Sequence, residues 1–390
     1  MYKQRIVQFI SFVFFIFFLS RFLFEGSAGF ITALSPVVHI GNIRALMFGK
    51  TALISILPAV FLVVMGWCVG RFFCLHLCPL GFLQDILPSM RKRFAVLKNI
   101  PGCNYLVFCM LFGVSIMFVN VLGSADPIII FSRAVNAIMS PKAGYRWAFL
   151  VPLVGIFLLS IISQRAWCWY VCPLGAFFDG CTNMKKHLCA KKVFTNENPS
   201  DGTKRNFMVA AATTSGLLIG AGISPLRSLY ADARLIRPPG ALPEEDFKRI
   251  CIRCGNCINV CPTDGLQPTL VESGWDGLFT PRLIPRIGEC DEYCRRCGYA
   301  CPTHAIKPLS LEQKREERIG IARVDKEKCL GWSDNKLCFI CGEVCSYLAI
   351  DVYRKNKNIP CPVIRQDACR GCGLCEKRCP TYAIKVYKRT

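Results

Sequence analysis

CIRCGNCINVCP at Cys251–Pro262 and CRGCGLCEKRCP at Cys369–Pro380 share one spacing, C-x2-C-x2-C-x3-C-P. Two further runs lie between them. Cys290, Cys294, Cys297 and Cys301 precede Pro302 with spacing C-x3-C-x2-C-x3-C-P, and Cys329, Cys338, Cys341 and Cys345 read C-x8-C-x2-C-x3-C with no proline. The residues that follow repeat too: PTDGL from Pro262, PTHAI from Pro302, SYLAI from Ser346 and PTYAI from Pro380. A cubane needs four thiolates around a compact cluster. Two-residue gaps wrap three of them from one loop, and the fourth cysteine, on a helix opened by the proline, reaches the neighbouring cluster. Runs must then work in pairs. This predicts an α+β polyferredoxin domain of tandem ferredoxin-like folds holding four [4Fe–4S] clusters.

Zinc and disulfides are the competing readings. Zinc sites split into C-x2-C halves separated by a dozen or more residues, unlike four cysteines within eleven residues. Disulfides are disfavoured because thiols two residues apart make poor partners. The regular first and fourth runs look like one pair and the irregular second and third the other, with pairing of sequential neighbours as the alternative. Cys361, outside the runs, reads as a spare thiol.

The rest of the chain divides around this array. The 390 residues contain 26 cysteines, a net charge of +22 and a mean hydropathy of +0.36. No C-x-x-C-H occurs, which excludes c-type haem, and no dinucleotide fingerprint or P-loop is present. The apolar residues collect in windows 6–20, 51–70, 99–125, 147–164 and 206–226. About 20 apolar residues span a ~30 Å hydrocarbon core, so the expectation is an α-helical membrane domain of about five transmembrane helices. The excess of Lys and Arg in alternate loops (Arg91, Lys92 and Arg93; Lys185, Lys186, Lys191 and Lys192) places the N-terminus inside. Residues 1–205 form the expected membrane domain and 206–226 its last helix. Residues 227–245 follow as a stiff linker around Arg237-Pro238-Pro239-Gly240, and 246–390 as the polyferredoxin domain. The location implied is a bacterial inner membrane, with the array on the outer, periplasmic face.

A second duplication falls in the N-terminal half. RFFCLHLCPLGFLQD at Arg71–Asp85 aligns without gaps onto RAWCWYVCPLGAFFD at Arg165–Asp179. Cys74 and Cys78 from one copy and Cys168 and Cys172 from the other would supply four thiolates for one further iron–sulfur cluster if a pseudo-symmetric pairing joined them. Cys181 and Cys189 are candidates for a different set, Cys103 and Cys109 read as small core residues, and Cys68 is unassigned. His39 and His76 are isolated histidines with a structural reading at least as good as quinone binding. Lys204-Arg205, ahead of the 206–226 window, has the look of an internal twin-arginine export signal, and Ala231-Asp232-Ala233 that of a small-x-small cleavage site.

The duplicated R-x2-C-x3-C-P-L-G segments resemble the polytopic membrane iron–sulfur proteins of the NapH type from periplasmic nitrate reductase systems. The stretch from Lys204 through Arg237–Ala241, Glu244 and Phe247 to the four runs is similar to the MauM/NapG type. Together these cover nearly the whole chain, as in a fusion of the two. The N-terminal half departs from the first type by lacking the two ferredoxin runs that usually follow its second C-x3-C-P. The resemblance implies a quinol dehydrogenase component: electrons leave the membrane quinol pool and pass through serial clusters to a periplasmic redox acceptor such as a reductase. A maturation factor supplying electrons for metalloenzyme assembly, and purely structural clusters, are the other readings. Arg253, Arg295, Arg296, Arg370, Lys377 and Arg378 beside the ligands would raise cluster potentials, dock an acidic partner, or form a solvated basic surface. Nothing points to nucleic acid, and the oligomeric state is open.

Overall fold

A computed structural model describes residues 6–13, 57–86, 106–111, 125–139, 144–162, 165–189, 235–270, 272–355 and 359–388, with isolated positions at 17, 211, 214 and 215. The chain divides into two compact units. The first contains residues 1–139, 149–226 and 248–254, and the second 140–148, 227–247 and 255–390.

In the first unit the described helices are α1 (Leu57–Val69), α2 (Pro79–Ile86), α3 (Pro127–Met139), α4 (Val151–Ile162) and α5 (Pro173–Cys189). The duplication is visible in their joints. A five-residue π-helical turn, Phe73–Leu77, precedes α2, and its counterpart Trp167–Val171 precedes α5. Pro79 and Pro173 each occupy the first helical position, where the missing N–H is not needed and φ is already suited to the helix. The core is built from equivalent positions of the two copies. Leu80 and Leu174 are fully buried, and they pack with Phe178, Ile128, Ile156 and Leu62.

The expected membrane domain is not what these residues form. No described helix is long and apolar enough to cross a membrane. Of window 51–70 the described residues give the 13-residue helix α1, about 20 Å at 1.5 Å per residue against a ~30 Å core; positions 51–56 lie outside the described residues. The helix stops at Gly70, whose φ of +69° leaves the helical region. Window 147–164 is divided between a 3-10 turn, Tyr145–Leu150, and the 12 residues of α4. In window 147–164 apolar run length therefore overstated the length of the α-helix. The inner-membrane location and the outward-facing array rested on those spans and fall with them. Most of windows 99–125 and 206–226, together with Cys103, His39, Lys204-Arg205 and Ala231–Ala233, lie outside the described residues.

The second unit carries three two-stranded antiparallel sheets: β1 (Leu266–Pro268) with β2 (Pro281–Leu283), β3 (Gly320–Val324) with β6 (Ile384–Lys388), and β4 (Ile350–Lys355) with β5 (Ile359–Ile364). The last four strands nest. β4 and β5 form the inner hairpin, with Ile350 opposite Ile364, while β3 and β6 close around it, with Gly320 opposite Lys388. Residues 320–388 are thus one complete ferredoxin half containing the third and fourth runs. The preceding half has the same plan in reduced form: β1–β2 is its hairpin, and a bridge between Ala241 and Ile306 is its outer pair.

Residues 235–240, expected as a linker, are buried in this unit. The reason is Arg237, which is 8% exposed. Its guanidinium grips both carboxylate oxygens of Glu244 at 2.9 and 2.6 Å. It also donates to Ser273 Oγ (2.8 Å), Thr280 Oγ1 (3.0 Å) and the Pro281 carbonyl (2.7 Å), and lies 4.6 Å over the Phe247 ring. A planar fork serves this many acceptors at once; an ammonium does not. Removing one partner of a buried ion pair costs about 3–5 kcal/mol. Arg237→Met is therefore expected to lower unfolding stability by about 3 kcal/mol in denaturant titration of the iron-loaded chain, and Arg237→Lys to recover only a minor part.

Candidate iron–sulfur centres

The local geometry of each run follows from its sequence. In the first and fourth runs, Gly255 and Gly373 sit at φ +82° and +88° and cap the one-turn helices Asn256–Asn259 (α6) and Leu374–Arg378 (α7). Arg296–Tyr299 and Ile340–Glu343 are the equivalent turns of the second and third runs. These helices lie before the fourth cysteine, so the proline opens a turn and not the helix that its position suggested. The eight-residue spacer of the third run is accounted for. Trp332 Nε1 donates to the Pro362 carbonyl at 3.1 Å, its ring stacks on Tyr353 at 5.6 Å, and fully buried Cys361 points its Sγ at the Gly331 carbonyl, 3.3 Å away. The spare thiol therefore packs beneath that loop.

The structure assembles the thiols across runs. Cys290, Cys294 and Cys297 are joined by Cys261, the last cysteine of the first run, in lining one recess. Cys369, Cys372 and Cys375 are joined by Cys345, the last of the third run, in lining another. Cys341 has Cys329, Cys338 and Cys379, the last of the fourth run, as its charged neighbours. In the first, third and fourth runs the fourth cysteine does cross over, and the pairing this gives is sequential: first with second, third with fourth. The outer strands explain this, because each pair of runs is enclosed by its own outer strand pair. Of the first run, Cys251, Cys254 and Cys257 are buried. Arg133 on α3, itself 1% exposed, donates to the carbonyls of Arg253 (2.5 Å) and Ile252 (3.3 Å) and fixes the loop carrying Cys251 and Cys254. Cys301, the last of the second run, accepts from the Ile306 N–H at 3.5 Å.

The two halves meet through thiol-bearing backbone. The Cys290 N–H donates to the Cys372 carbonyl at 2.8 Å. Lys377 Nζ reaches Glu289 at 2.6 Å, and Arg286 donates to the Glu376 carbonyl at 2.9 Å. Gly373 is required at this seam, since a Cβ there would lie 2.5 Å from Pro285.

In the N-terminal duplication the four cysteines converge. Cys74, Cys78, Cys168 and Cys172 are mutual electrostatic neighbours. Two reciprocal ion pairs, Arg71–Asp179 and Arg165–Asp85, join each copy to the other; Arg71 Nε lies 2.5 Å from Asp179 and Arg165 Nε 2.6 Å from Asp85. Within each copy the π-turn closes identically, Cys78 N–H to Phe73 O and Cys172 N–H to Trp167 O, both 2.8 Å. Gly81 and Gly175 are needed because a Cβ would meet the carbonyls of Cys74 and Cys168 at 2.9 and 3.0 Å. The motif thus reads residue by residue: Arg and Asp lock the copies together, the turn presents the cysteines, and Pro-Leu-Gly starts the helix behind them. The acidic ends of this motif had no role assigned from sequence. The available signal was charge at the same offset in both copies of an otherwise apolar stretch. Gln84 was missed as well: fully buried, it points Nε2 at Cys168 Sγ, 3.6 Å away, while its own oxygen has no partner among the described residues. Cys181 is buried on α5, Cys109 is buried, Cys68 is exposed, and His76 stacks on Phe72 at 4.5 Å.

Chemistry favours iron clusters at these groups. Burial, reinforced by neighbouring thiolates, pushes Cys78, Cys290 and Cys341 up to about 12 and Cys372 up to about 11, and raises Cys74, Cys172, Cys297 and Cys375 as well. Four such thiolates are tenable together only around cations that displace their protons. Hydroxyls also stand beside the sulfurs: those of Thr303 and Thr381 lie 3.8 Å from Cys301 and Cys379, and that of Thr263 lies 3.5 Å from Cys261 while giving its own proton to the Glu289 carbonyl at 2.5 Å, which accounts for the Cys-Pro-Thr repeat.

Two outcomes follow. Cys345→Ala is expected to perturb the same EPR signal as Cys375→Ala, and Cys379→Ala the same signal as Cys341→Ala; a nested pairing of runs would instead couple Cys345 to Cys297. Asp85→Asn with Asp179→Asn is expected to release about four Fe per chain with the signals of the four cysteine runs unchanged, measured by iron analysis and EPR.

Known proteins agree with this assignment of chemistry. Residues 51–96 and 145–188 match a family described as a 4Fe–4S binding domain, and residues 248–267 and 362–385 match a second family of that description. The chain is 34% identical to the methylamine utilization ferredoxin-type protein MauM of Methylorubrum extorquens, over 49% of this chain and 91% of that one. It is 36% identical to MauM of Paracoccus denitrificans over 48% and 88%, and 32% identical to the ferredoxin-type protein NapG of Escherichia coli over 48% and 86%. No solved structure matches. The crossed cysteine runs and the near-complete coverage of these relatives place the chain in the MauM/NapG family of ferredoxin-type iron–sulfur proteins.

Proposed function

We propose that this iron–sulfur electron-transfer protein takes electrons from quinol and relays them through serial clusters to a protein acceptor such as a reductase. The ligands would be Cys251, Cys254 and Cys257 with Cys301; Cys290, Cys294 and Cys297 with Cys261; Cys329, Cys338 and Cys341 with Cys379; and Cys369, Cys372 and Cys375 with Cys345. Cys74, Cys78, Cys168 and Cys172 would hold a fifth. Each [4Fe–4S] cluster supplies a one-electron redox centre whose potential follows burial and the hydrogen bonds to its sulfurs.

One observation carries the relay. The hydrogen bond from Cys290 N–H to Cys372 C=O joins a ligand loop of one ferredoxin half directly to a ligand loop of the other. Four groups in two unconnected halves would make two short circuits; this bond supports one. The order it favours is first run, second, fourth, third. Arg133 holds the loop of Cys251 and Cys254 through the carbonyls of Arg253 and Ile252. The chain's own residues fix the loops, exclude water from the thiols and donate to sulfur. No substrate-binding constellation accompanies them among the described residues, so the role that suits them is conduction.

The anaerobically purified chain is expected to contain about 20 Fe, four per cubane, and a quinol analogue should bleach its visible iron–sulfur absorption within seconds. Clusters that dithionite reduces and the quinol analogue leaves oxidised would overturn the proposal of a quinol donor.

A further inference from the structure

The four thiols of the C-x3-C-P group are presented by two copies of one motif, yet their surroundings are unequal. Position by position the copies match at Arg, both cysteines, Pro, Leu, Gly and Asp. They differ immediately before the Asp: one has Gln84 and the other Phe178. Both side chains are fully buried. Phe178 lies over Gly66 and contributes packing alone. Gln84 crosses to the other copy, where Nε2 lies 3.6 Å from Cys168 Sγ.

Packing does not account for a glutamine there. Its oxygen is buried and unpartnered among the described residues, a cost that an apolar residue of similar size avoids. The sulfur of a metal-bound thiolate accepts and does not donate, so the NH2 end of the amide must face it. What remains is the effect of a fixed donor on a sulfur ligand. Such a bond stabilises the extra negative charge of the reduced state and raises the potential.

We propose that Gln84 is a positioning residue that sets the reduction potential of the C-x3-C-P centre through its hydrogen bond to Cys168 Sγ. The sign of the effect is fixed: removing the donor makes this centre harder to reduce, and only this centre. The proposal rests on that group holding a cubane.

The test is an EPR-monitored redox titration of the full chain against a Cys74→Ala/Cys168→Ala double variant, the difference isolating this centre. In Gln84→Leu its midpoint is expected to fall by about the equivalent of a tenfold change in the reduction equilibrium, 59 mV for one electron, with iron content and the other signals unchanged. Gln84→Met, which keeps the length of the side chain and removes the donor, should fall as far. An unchanged midpoint in an iron-replete Gln84→Leu chain overturns the proposal while leaving the cubane in place. Loss of iron in both variants overturns it too, by making Gln84 a packing residue. If the double variant loses no iron, the cubane assignment itself fails.

Discussion

Four thiolates cannot be drawn from one short loop without straining it, and the second unit is organised by that constraint. Three come from a tight loop and the fourth from the neighbouring run, as Cys261, Cys345 and Cys379 do. The exchange demands that two runs lie side by side in antiparallel sense. The nested strands β3–β6 and β4–β5 provide that, with an outer pair closing around an inner hairpin. The glycines, the Thr hydroxyls and the Arg237 hub serve the same end by holding loops whose natural tendency is to spread.

In the first unit helices bring the two copies together: Leu80 and Leu174 share one buried core, and charge sets the register, Arg71 to Asp179 and Arg165 to Asp85. Pairs of this kind are strongly oriented because guanidinium and carboxylate match prong for prong. Each would be costly in an apolar interior if it were left incomplete, which makes the symmetric arrangement self-enforcing. A copy displaced by one residue would leave four half-buried charges unmatched.

Much of this was legible in the sequence. The spacing of the cysteine runs forecast the ferredoxin halves, and the gapless alignment of residues 71–85 with 165–179 anticipated the convergence of their cysteines. Pairing order was not legible, since regularity of spacing drew the first run towards the fourth, whereas adjacency in chain and sheet governs. The α-helix in window 147–164 was misread as well: hydropathy sees composition and not the 3-10 segment at Tyr145–Leu150. The role of Arg237 was hidden because its partners, Ser273, Thr280 and Pro281, lie some forty residues away.

Crossed ligation also has a consequence for durability. A thiol lent to a neighbour ties the survival of two centres together. If oxygen strips iron from the group of Cys290, Cys294 and Cys297, the sulfur set free includes Cys261, which belongs to the loop of the other centre. That loop slackens, and its exposed thiolates become open to sulfenic acid and disulfide chemistry. Damage in such an array is expected to spread within a half before it passes between halves, so the chain should decay by pairs of centres, and repair would have to refill them by pairs.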